Sequence, residues 1–210
     1  MTRPALRIET RTGGQITPLL PELAALRTRV FREWPYLYDG DETYESDYLK
    51  SYARSERAML AVAYDGETVI GASTCMPMTD AGADVQAPMA AQGLDPQRFF
   101  YFGESVLLPA YRGHGLGVGF FTAREAHALA DAVCDHALFY AVRRAPDHPA
   151  RPSNATSLEG FWSHRGFSQF PGLSCTMRWK EIGTQTEVTN TLDAWVKPLK
   201  DAPGLAGLGA

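Results

Sequence analysis

Residues 106–117 read Val-Leu-Leu-Pro-Ala-Tyr-Arg-Gly-His-Gly-Leu-Gly, an apolar run that passes into a glycine-rich segment. It joins an apolar segment over 99–108, typical of a β-strand, to a helical pattern that begins at Leu116. A helix N-terminus offers unpaired N–H groups and about half a positive charge, and glycines let an anion approach the backbone closely. Arg112 adds charge-assisted hydrogen bonds. The stretch therefore predicts an anion-binding turn; a glycine-rich turn without a ligand is the weaker alternative.

Two common nucleotide-binding patterns are absent from this turn. The dinucleotide pattern G-x-G-x-x-G requires a glycine where Val118 or Phe120 stands. The P-loop pattern, with its lysine and hydroxyl residue, is missing as well. A nucleotide-binding protein is therefore the least favoured of the ligand hypotheses.

The composition predicts one globular domain without a nucleic-acid partner. The chain has 210 residues, of which 45% are hydrophobic, and 20 basic against 24 acidic side chains give a net charge of −4. Nucleic-acid binding needs a basic face, which this balance disfavours. Cys75, Cys134 and Cys175 stand far apart, so we expect reduced thiols in a cytoplasmic protein rather than a disulfide framework.

Neither a membrane-spanning segment nor a metal site is expected. No signal peptide and no run of about 18 apolar residues is found in the sequence. His127, His136 and His148 show no metal-ligand spacing. We therefore predict no membrane association and no metal.

The hydrophobic patterns predict an α/β protein with the element order β-α-α-β-β-β-α-β-α-β. The Asp65-Gly66 pair between two apolar runs indicates a β-hairpin. The predicted strands cover 6–10, 58–64, 67–74, 99–108, 137–142 and 174–179, and the predicted helices cover 18–34, 42–54, 116–133 and 157–165. Residues 77–98 show no clear period and are predicted to form a long loop or insertion. We expect a single domain over 1–182 and a C-terminal extension over 183–210 whose end is mobile.

At two motifs the sequence resembles the GNAT superfamily of N-acetyltransferases. Residues 106–117 match the acyl-CoA motif of that family, in which a strand and a proline precede R-G-x-G-[LI]-G. Residues 161–167, Phe-Trp-Ser-His-Arg-Gly-Phe, match a second motif with an aromatic residue before a Gly-Phe pair. The resemblance covers about residues 99–180. It implies a mixed sheet of about seven strands flanked by helices, with central strands that splay apart.

The activity that the resemblance implies is transfer of an acetyl group from acetyl-CoA to a primary amine, directly and in a ternary complex. The acceptor is a small molecule or a lysine or N-terminal amine. A homodimer is left open. The resemblance implies backbone pairing of Val106 and Leu108 with the pantetheine arm, and polarisation of the thioester carbonyl by the Leu107 N–H. The remaining residues that it assigns to the coenzyme are Arg112, Gly113, His114, Gly115, Leu116, Gly117, Asn154 and Trp162.

Glu104 and Tyr140 are the candidates for the chemistry. Glu104 follows the apolar run 99–102, and apolar surroundings raise a carboxyl pKa in a way that suits a general base. The alternative is an edge glutamate that faces solvent and pairs with an arginine. Many members of the resembled family carry an acidic tyrosine where Trp162 stands here, so the proton donor must lie elsewhere. Tyr140 is the selected candidate, and Ser157 and His164 are the other possible substitutes. Each of the three is more readily explained as a structural residue.

The loop over 34–44 is the candidate acceptor site. Its aromatic and acidic side chains suit a cationic amine through cation–π and ion-pair contacts, and the selected residues are Tyr36, Tyr38, Asp39 and Asp41. The alternative is structural, with Asp41 as a helix cap and the aromatic rings as packing groups. A second function class also stays open, namely a non-catalytic acyl-CoA-binding or regulatory module of the same fold.

Overall fold

A computed structural model describes residues 6–40, 49–200 and 202. Asp41 and the chain end over 203–210 therefore lie outside the described residues. The strands are β1 Arg7–Thr12, β2 Met59–Asp65, β3 Thr68–Pro77, β4 Phe99–Leu107, β5 His136–Val142, β6 Ser168–Lys180 and β7 Glu187–Pro198. The helices are α1 Leu20–Phe31, α2 with its described part over 49–54, α3 Ala83–Ala91, α4 Leu116–Ala130 and α5 Glu159–Ser163.

The seven strands form one mixed sheet in the order β1-β2-β3-β4-β5-β7-β6. Only the pairing of β4 with β5 is parallel among these neighbours, since helix α4 provides the crossover that parallel strands require. Helices α1 and α3 contact one face of the sheet, and α4 packs on the opposite face. This arrangement confirms the predicted sheet flanked by helices.

Strands β4 and β5 separate after three residue pairs. Their pairing ends at Tyr101 and Leu138, although both strands continue. A β-bulge lies just beyond this point, because Gly103 and Glu104 together face the single residue Thr74 of β3. Bulges bend a strand and increase its twist. The bulge therefore turns β4 away from β5 and opens the predicted gap between the central strands.

The side chains of β3 satisfy the backbone groups that the bulge leaves out of the ladder. Thr74 Oγ1 accepts a hydrogen bond from the Glu104 N–H at 3.1 Å. Ser73 Oγ donates to the Glu104 carbonyl at 2.8 Å. The Tyr52 hydroxyl lies 1.9 Å from where a Cβ on Gly103 would sit, so only glycine fits there. Glu104 is thus held at the apex of the gap by the fold itself.

Two segments differ from the sequence-based expectation. Residues 83–91 form α3 within the predicted loop; the helix contains Pro88 and buries only Val85 and Met89, so its periodicity was too weak to identify. The domain does not end at residue 182 as predicted, because β7 lies in the sheet between β5 and β6. A smaller difference is the end of α4, which stops at Ala130 and leaves Val133 exposed.

The turn after α4 is organised by the partly buried carboxylate of Asp131. Its Oδ1 accepts hydrogen bonds from the N–H groups of Val133 and Cys134, and its Oδ2 pairs with Arg57 at 2.6 Å. Partial burial opposes ionisation, but these hydrogen bonds and the arginine outweigh it and lower the pKa of Asp131 to about 2. The carboxylate therefore stabilises the folded state as long as it is ionised.

Asp131→Asn is expected to lower the free energy of unfolding at pH 7 by about 2 kcal/mol. Because the folded-state pKa lies below the unfolded value, this contribution is complete above about pH 5 and disappears as the pH falls through the folded pKa. Urea unfolding between pH 3 and pH 7 measures it. Arg57→Met keeps both backbone hydrogen bonds and should cost less; an equal or larger loss would contradict the assignment.

Candidate functional site

The N-terminus of α4 forms a cradle of unpaired N–H groups. Gly113 and Gly115 have φ values of 81° and 82°, a conformation that favours glycine. The first helical bond runs from the Gly119 N–H to the Gly115 carbonyl at 3.0 Å, and the N–H groups over 113–118 donate to no carbonyl of the described chain. A Cβ at Gly113 or Gly115 would meet nothing within 4 Å, so the surface above these groups is open. This geometry fits an anion such as a diphosphate.

Arg112 lies beside the cradle and contacts two groups at the mouth of the gap. Its Nη2 pairs with Glu33 Oε2 at 2.8 Å, and its Nε donates to the Leu107 carbonyl at 3.3 Å. His114 is exposed and its Nδ1 lies 3.0 Å from the Arg112 carbonyl. Both side chains lie within the predicted site. The Arg112 cation is also paired with Glu33, which follows the C-terminal end of α1.

The backbone of β4 presents free groups to the gap, at positions one residue away from those predicted. The Leu108 N–H donates to the Ile70 carbonyl at 3.0 Å and therefore points towards β3. Because successive N–H groups alternate along a strand, Val106 also points towards β3, while Ser105 and Leu107 point into the gap. The backbone groups of Val106 and Leu108, predicted to pair with pantetheine, are therefore directed at β3, and those left unpaired at the gap belong to Ser105 and Leu107. The Leu107 N–H keeps the orientation that its predicted role requires.

Glu104 lies at the apex of the gap and is buried, with 7% of its surface exposed. Its Oε2 forms an ion pair with Nη1 of Arg27, an equally buried residue of α1. The alternative of a solvent-facing glutamate is therefore wrong. The second part of that alternative, pairing of Glu104 with an arginine, is correct. The pair neutralises two buried charges, which a low-dielectric interior requires.

The candidate proton donors each have a structural partner. The Tyr140 hydroxyl donates to the Val85 carbonyl of α3 at 3.0 Å, and burial raises the pKa of Tyr140. Ser157 Oγ accepts from the Glu159 N–H at the start of α5. His164 is exposed and its Nδ1 lies 2.6 Å from the Gly160 carbonyl. These contacts favour structural roles for all three.

The two remaining residues assigned to the coenzyme lie at α5 and in the loop before it. The Trp162 ring packs against Phe139 and Trp195, with centroid distances of 5.1 and 5.0 Å. Asn154 is exposed in the loop between β5 and α5. Trp162 therefore belongs to the aromatic packing beneath the gap, and the binding role of Asn154 stays a prediction.

No protein-family model matches the chain, and no curated protein matches it. Solved structures do match over nearly their whole length. An acetyltransferase of the GNAT family from Streptococcus pneumoniae has a TM-score of 0.55 at 13% identity, with 92% of this chain and 100% of that chain covered. NAA60 from Arabidopsis thaliana, in complex with a bisubstrate analogue, has a TM-score of 0.59 at 11% identity, covering 93% and 100%. The GNAT-like decarboxylase GphF, in complex with isobutyryl-CoA, has a TM-score of 0.59 at 15% identity, covering 92% and 100%.

The chain has the GNAT fold. Its seven-stranded mixed sheet flanked by helices matches the fold of these structures. In the described part of the chain, no helix is long and apolar enough to cross a membrane. The same residues hold no cluster of three or more metal-ligating side chains.

The candidate acceptor loop of this GNAT fold is fastened to the end of β6. Tyr38 forms a β-bridge with Glu181, and the Asp39 N–H donates to the Lys180 carbonyl at 2.8 Å. Arg144 binds the loop from the other side, donating to the carbonyls of Pro35 and Tyr36 at 2.7 and 3.0 Å. It also pairs with Glu181 at 2.7 Å. The described part of the loop, over 34–40, is therefore fastened through its backbone.

The acidic and aromatic residues of this loop are largely engaged. Asp39 accepts from Lys180 at 3.0 Å and from Arg32 at 2.8 Å, and these two contacts lower its pKa. Tyr38 is buried in the core. An amine could use Asp39 only by displacing a cation, and Asp41 lies outside the described residues. The packing alternative therefore describes Tyr38 and Asp39 better than the acceptor hypothesis does.

Sequence reasoning missed Arg27, Glu33 and Arg144. Arg27 lies on the buried face of α1 with Leu23, Ala24 and Phe31, and a charged residue on an apolar stripe is a signal that could have identified it. Glu33 and Arg144 carry no comparable signal, because only the tertiary structure brings them to the gap and the loop.

Glu33→Gln is expected to tighten coenzyme A binding about twofold to fivefold at low salt, because the carboxylate no longer competes for the Arg112 cation. Calorimetry at 20 and 300 mM salt measures the change, which should shrink at the higher salt. Glu22→Gln, on the first turn of α1, is the matched control. Equal or weaker binding in Glu33→Gln would contradict a competing role for the ion pair.

Proposed function

We propose that the protein is an N-acetyltransferase that moves an acetyl group from acetyl-CoA to a primary amine, directly and in a ternary complex. The carrying observation is a series of backbone N–H groups without a carbonyl partner, which lie on either side of the hydrogen-bonded turn over 108–112. The open cradle over 113–118 lies after this turn, and the gap-facing groups of Leu107 and Ser105 lie before it, next to the buried Glu104. The series fits a diphosphate, an extended amide-bearing arm and a reactive acyl group in that order.

The residues of the gap supply three functions to the proposed reaction. The cradle and Arg112 bind the diphosphate. The Leu107 N–H polarises the thioester carbonyl. Glu104 accepts the proton of the attacking amine, directly or through a water molecule. Structures of the same fold bound to isobutyryl-CoA and to a bisubstrate analogue support an acyl-CoA ligand.

The state of the cysteines supports direct transfer. Cys75, Cys134 and Cys175 are buried, and burial raises the pKa of each thiol to about 12. A covalent acyl-cysteine requires an accessible thiolate. Free buried thiols also suit a reducing compartment, so we propose a cytoplasmic location.

A non-catalytic acyl-CoA-binding module is the second candidate function. The observation in its favour is that Trp162 cannot donate a proton and that the Tyr140 hydroxyl is occupied by the Val85 carbonyl. Under this candidate the cradle binds the coenzyme and no amine accelerates thiol release.

Two measurements test the proposal. Calorimetry should detect acetyl-CoA binding and no binding of ATP. A screen of small amines and of peptides with free lysine or N-terminal amines should then show amine-dependent release of free CoA thiol. Binding without release from any amine would favour the non-catalytic module, and absence of binding would remove both candidates.

A further inference from the structure

Tyr36 belongs to a cluster of charged and aromatic groups around Phe31. The Tyr36 and Phe31 ring centroids are 4.3 Å apart, and the Arg27 guanidinium lies 4.9 Å from the centroid of the same Phe31 ring. Arg27 in turn contacts Glu104 at the apex of the gap. Contacts through Phe31 and Arg27 therefore connect Tyr36 of the acceptor loop with Glu104, the proposed catalytic base.

The backbone of Tyr36 is held firmly while its hydroxyl is not engaged. Arg144 and Trp179 both donate to the Tyr36 carbonyl, at 3.0 and 3.1 Å, and the Trp179 ring lies 5.8 Å from the tyrosine ring. The hydroxyl makes no hydrogen bond to any residue in the described ranges 6–40, 49–200 and 202. Tyr140 differs in this respect, because its hydroxyl is bound to Val85.

The surroundings of the Tyr36 hydroxyl suit a neutral donor. Burial raises the pKa of Tyr36 to about 12, so the phenol keeps its proton at any working pH. Four charged or titratable groups from different elements act on it electrostatically: Arg27 on α1, Glu104 on β4, Cys175 on β6 and Arg144 after β5. The two arginines stabilise the negative charge that would form on the oxygen when the proton leaves.

We propose that Tyr36 is the general acid that protonates the departing thiolate, in the role that Trp162 cannot perform. This inference rests on the proposed function. The amine nitrogen forms a bond to the acyl carbon, the C–S bond breaks, and its electron pair goes to sulfur. Sulfur takes the hydroxyl proton of Tyr36, and the amine proton goes to Glu104. Solvent returns that proton from Glu104 to the Tyr36 oxygen, so the enzyme ends in its starting state.

The test compares CoA with desulfo-CoA, which lacks only the sulfur. Both ligands are titrated by calorimetry at pH 7 and at pH 9.5, on either side of an ordinary thiol pKa of about 8.5. A hydroxyl that donates to sulfur should favour the thiolate, so the CoA to desulfo-CoA affinity ratio of the wild-type protein should rise by about tenfold at the higher pH. The ratio cancels effects of other titrating groups, since these act on both ligands.

Tyr36→Phe and Tyr140→Phe form a matched pair for this test. Phenylalanine keeps the ring packing at each position and removes one hydroxyl. The rise in the ratio should disappear in Tyr36→Phe and persist in Tyr140→Phe, and kcat with an amine from the screen should fall about 100-fold only in Tyr36→Phe.

The outcomes separate this inference from the proposed function. If both ligands bind but the wild-type ratio stays flat, or the rise survives in Tyr36→Phe, Tyr36 does not touch the sulfur and the inference is wrong while coenzyme binding stands. A loss in both variants also overturns the assignment to one hydroxyl. Failure of the wild-type protein to bind either ligand overturns the proposed function and this inference together. Should Tyr36→Phe fail to fold, the wild-type and Tyr140→Phe ratios decide the matter: a rise in both supports the inference, and a flat wild-type ratio or a rise lost in Tyr140→Phe overturns it.

Discussion

Gly115→Asp is expected to weaken acetyl-CoA binding at least 100-fold. Gly115 directly precedes the first helical residue of α4, among N–H groups that lack a backbone partner. A carboxylate at this place occupies the positive end of the helix and repels the diphosphate. The cradle then loses both its available N–H donors and its favourable electrostatic potential. Calorimetric titration with acetyl-CoA measures the effect.

Gly93→Asp is the matched control for this substitution. Gly93 has a φ of 69° and, like Gly115, would place a Cβ in open space, but it lies in the turn after α3. Both substitutions carry the same backbone strain of about 1–2 kcal/mol, so both should lower the melting temperature slightly. Only Gly115→Asp should affect binding; unchanged affinity in that variant would remove the cradle as the coenzyme site.

Glu104→Gln is expected to lower kcat by about 10²- to 10⁴-fold while the affinity for acetyl-CoA stays within twofold. Glutamine keeps the shape of the side chain but cannot accept the amine proton at neutral pH. Rate measurements at saturating amine and acetyl-CoA, with direct calorimetric titration of acetyl-CoA, separate turnover from binding. Glu125→Gln, which replaces the α4 carboxylate paired with Lys197 at 2.8 Å, should leave both values unchanged.

Arg27→Met distinguishes a catalytic role of Glu104 from a purely structural one. Both Glu104→Gln and Arg27→Met break the buried ion pair, so both should reduce the free energy of unfolding by about 3–5 kcal/mol. Arg27→Met retains the carboxylate, which binds a proton more readily without its cation. Its activity should therefore recover as the pH rises, whereas Glu104→Gln should stay inactive. Equal losses at every pH would mean that the ion pair serves folding alone.

Local features of the site followed from sequence because their parts are contiguous. The strand over 99–107, the turn at Arg112 and the start of α4 at Leu116 occupy one short segment, and glycine spacing and strand alternation act within it. The strand that carries Glu104 and the start of α4 were predictable for this reason, whereas the parting of β4 from β5 was expected only from the family resemblance. Strand β7 was not, since its position between β5 and β6 depends on pairing across the whole second half of the chain.

The sequence alone determined the anion cradle, because a helix N-terminus preceded by glycines creates its own field and its own unpaired donors. Only the tertiary structure decided which side chains surround the acyl site. Arg27 meets Glu104 across 77 positions of the chain, and Arg144 reaches the Tyr36 carbonyl across 108. Such contacts form where desolvated charges and buried carbonyls must find partners, and that requirement depends on the packed interior rather than on any local pattern.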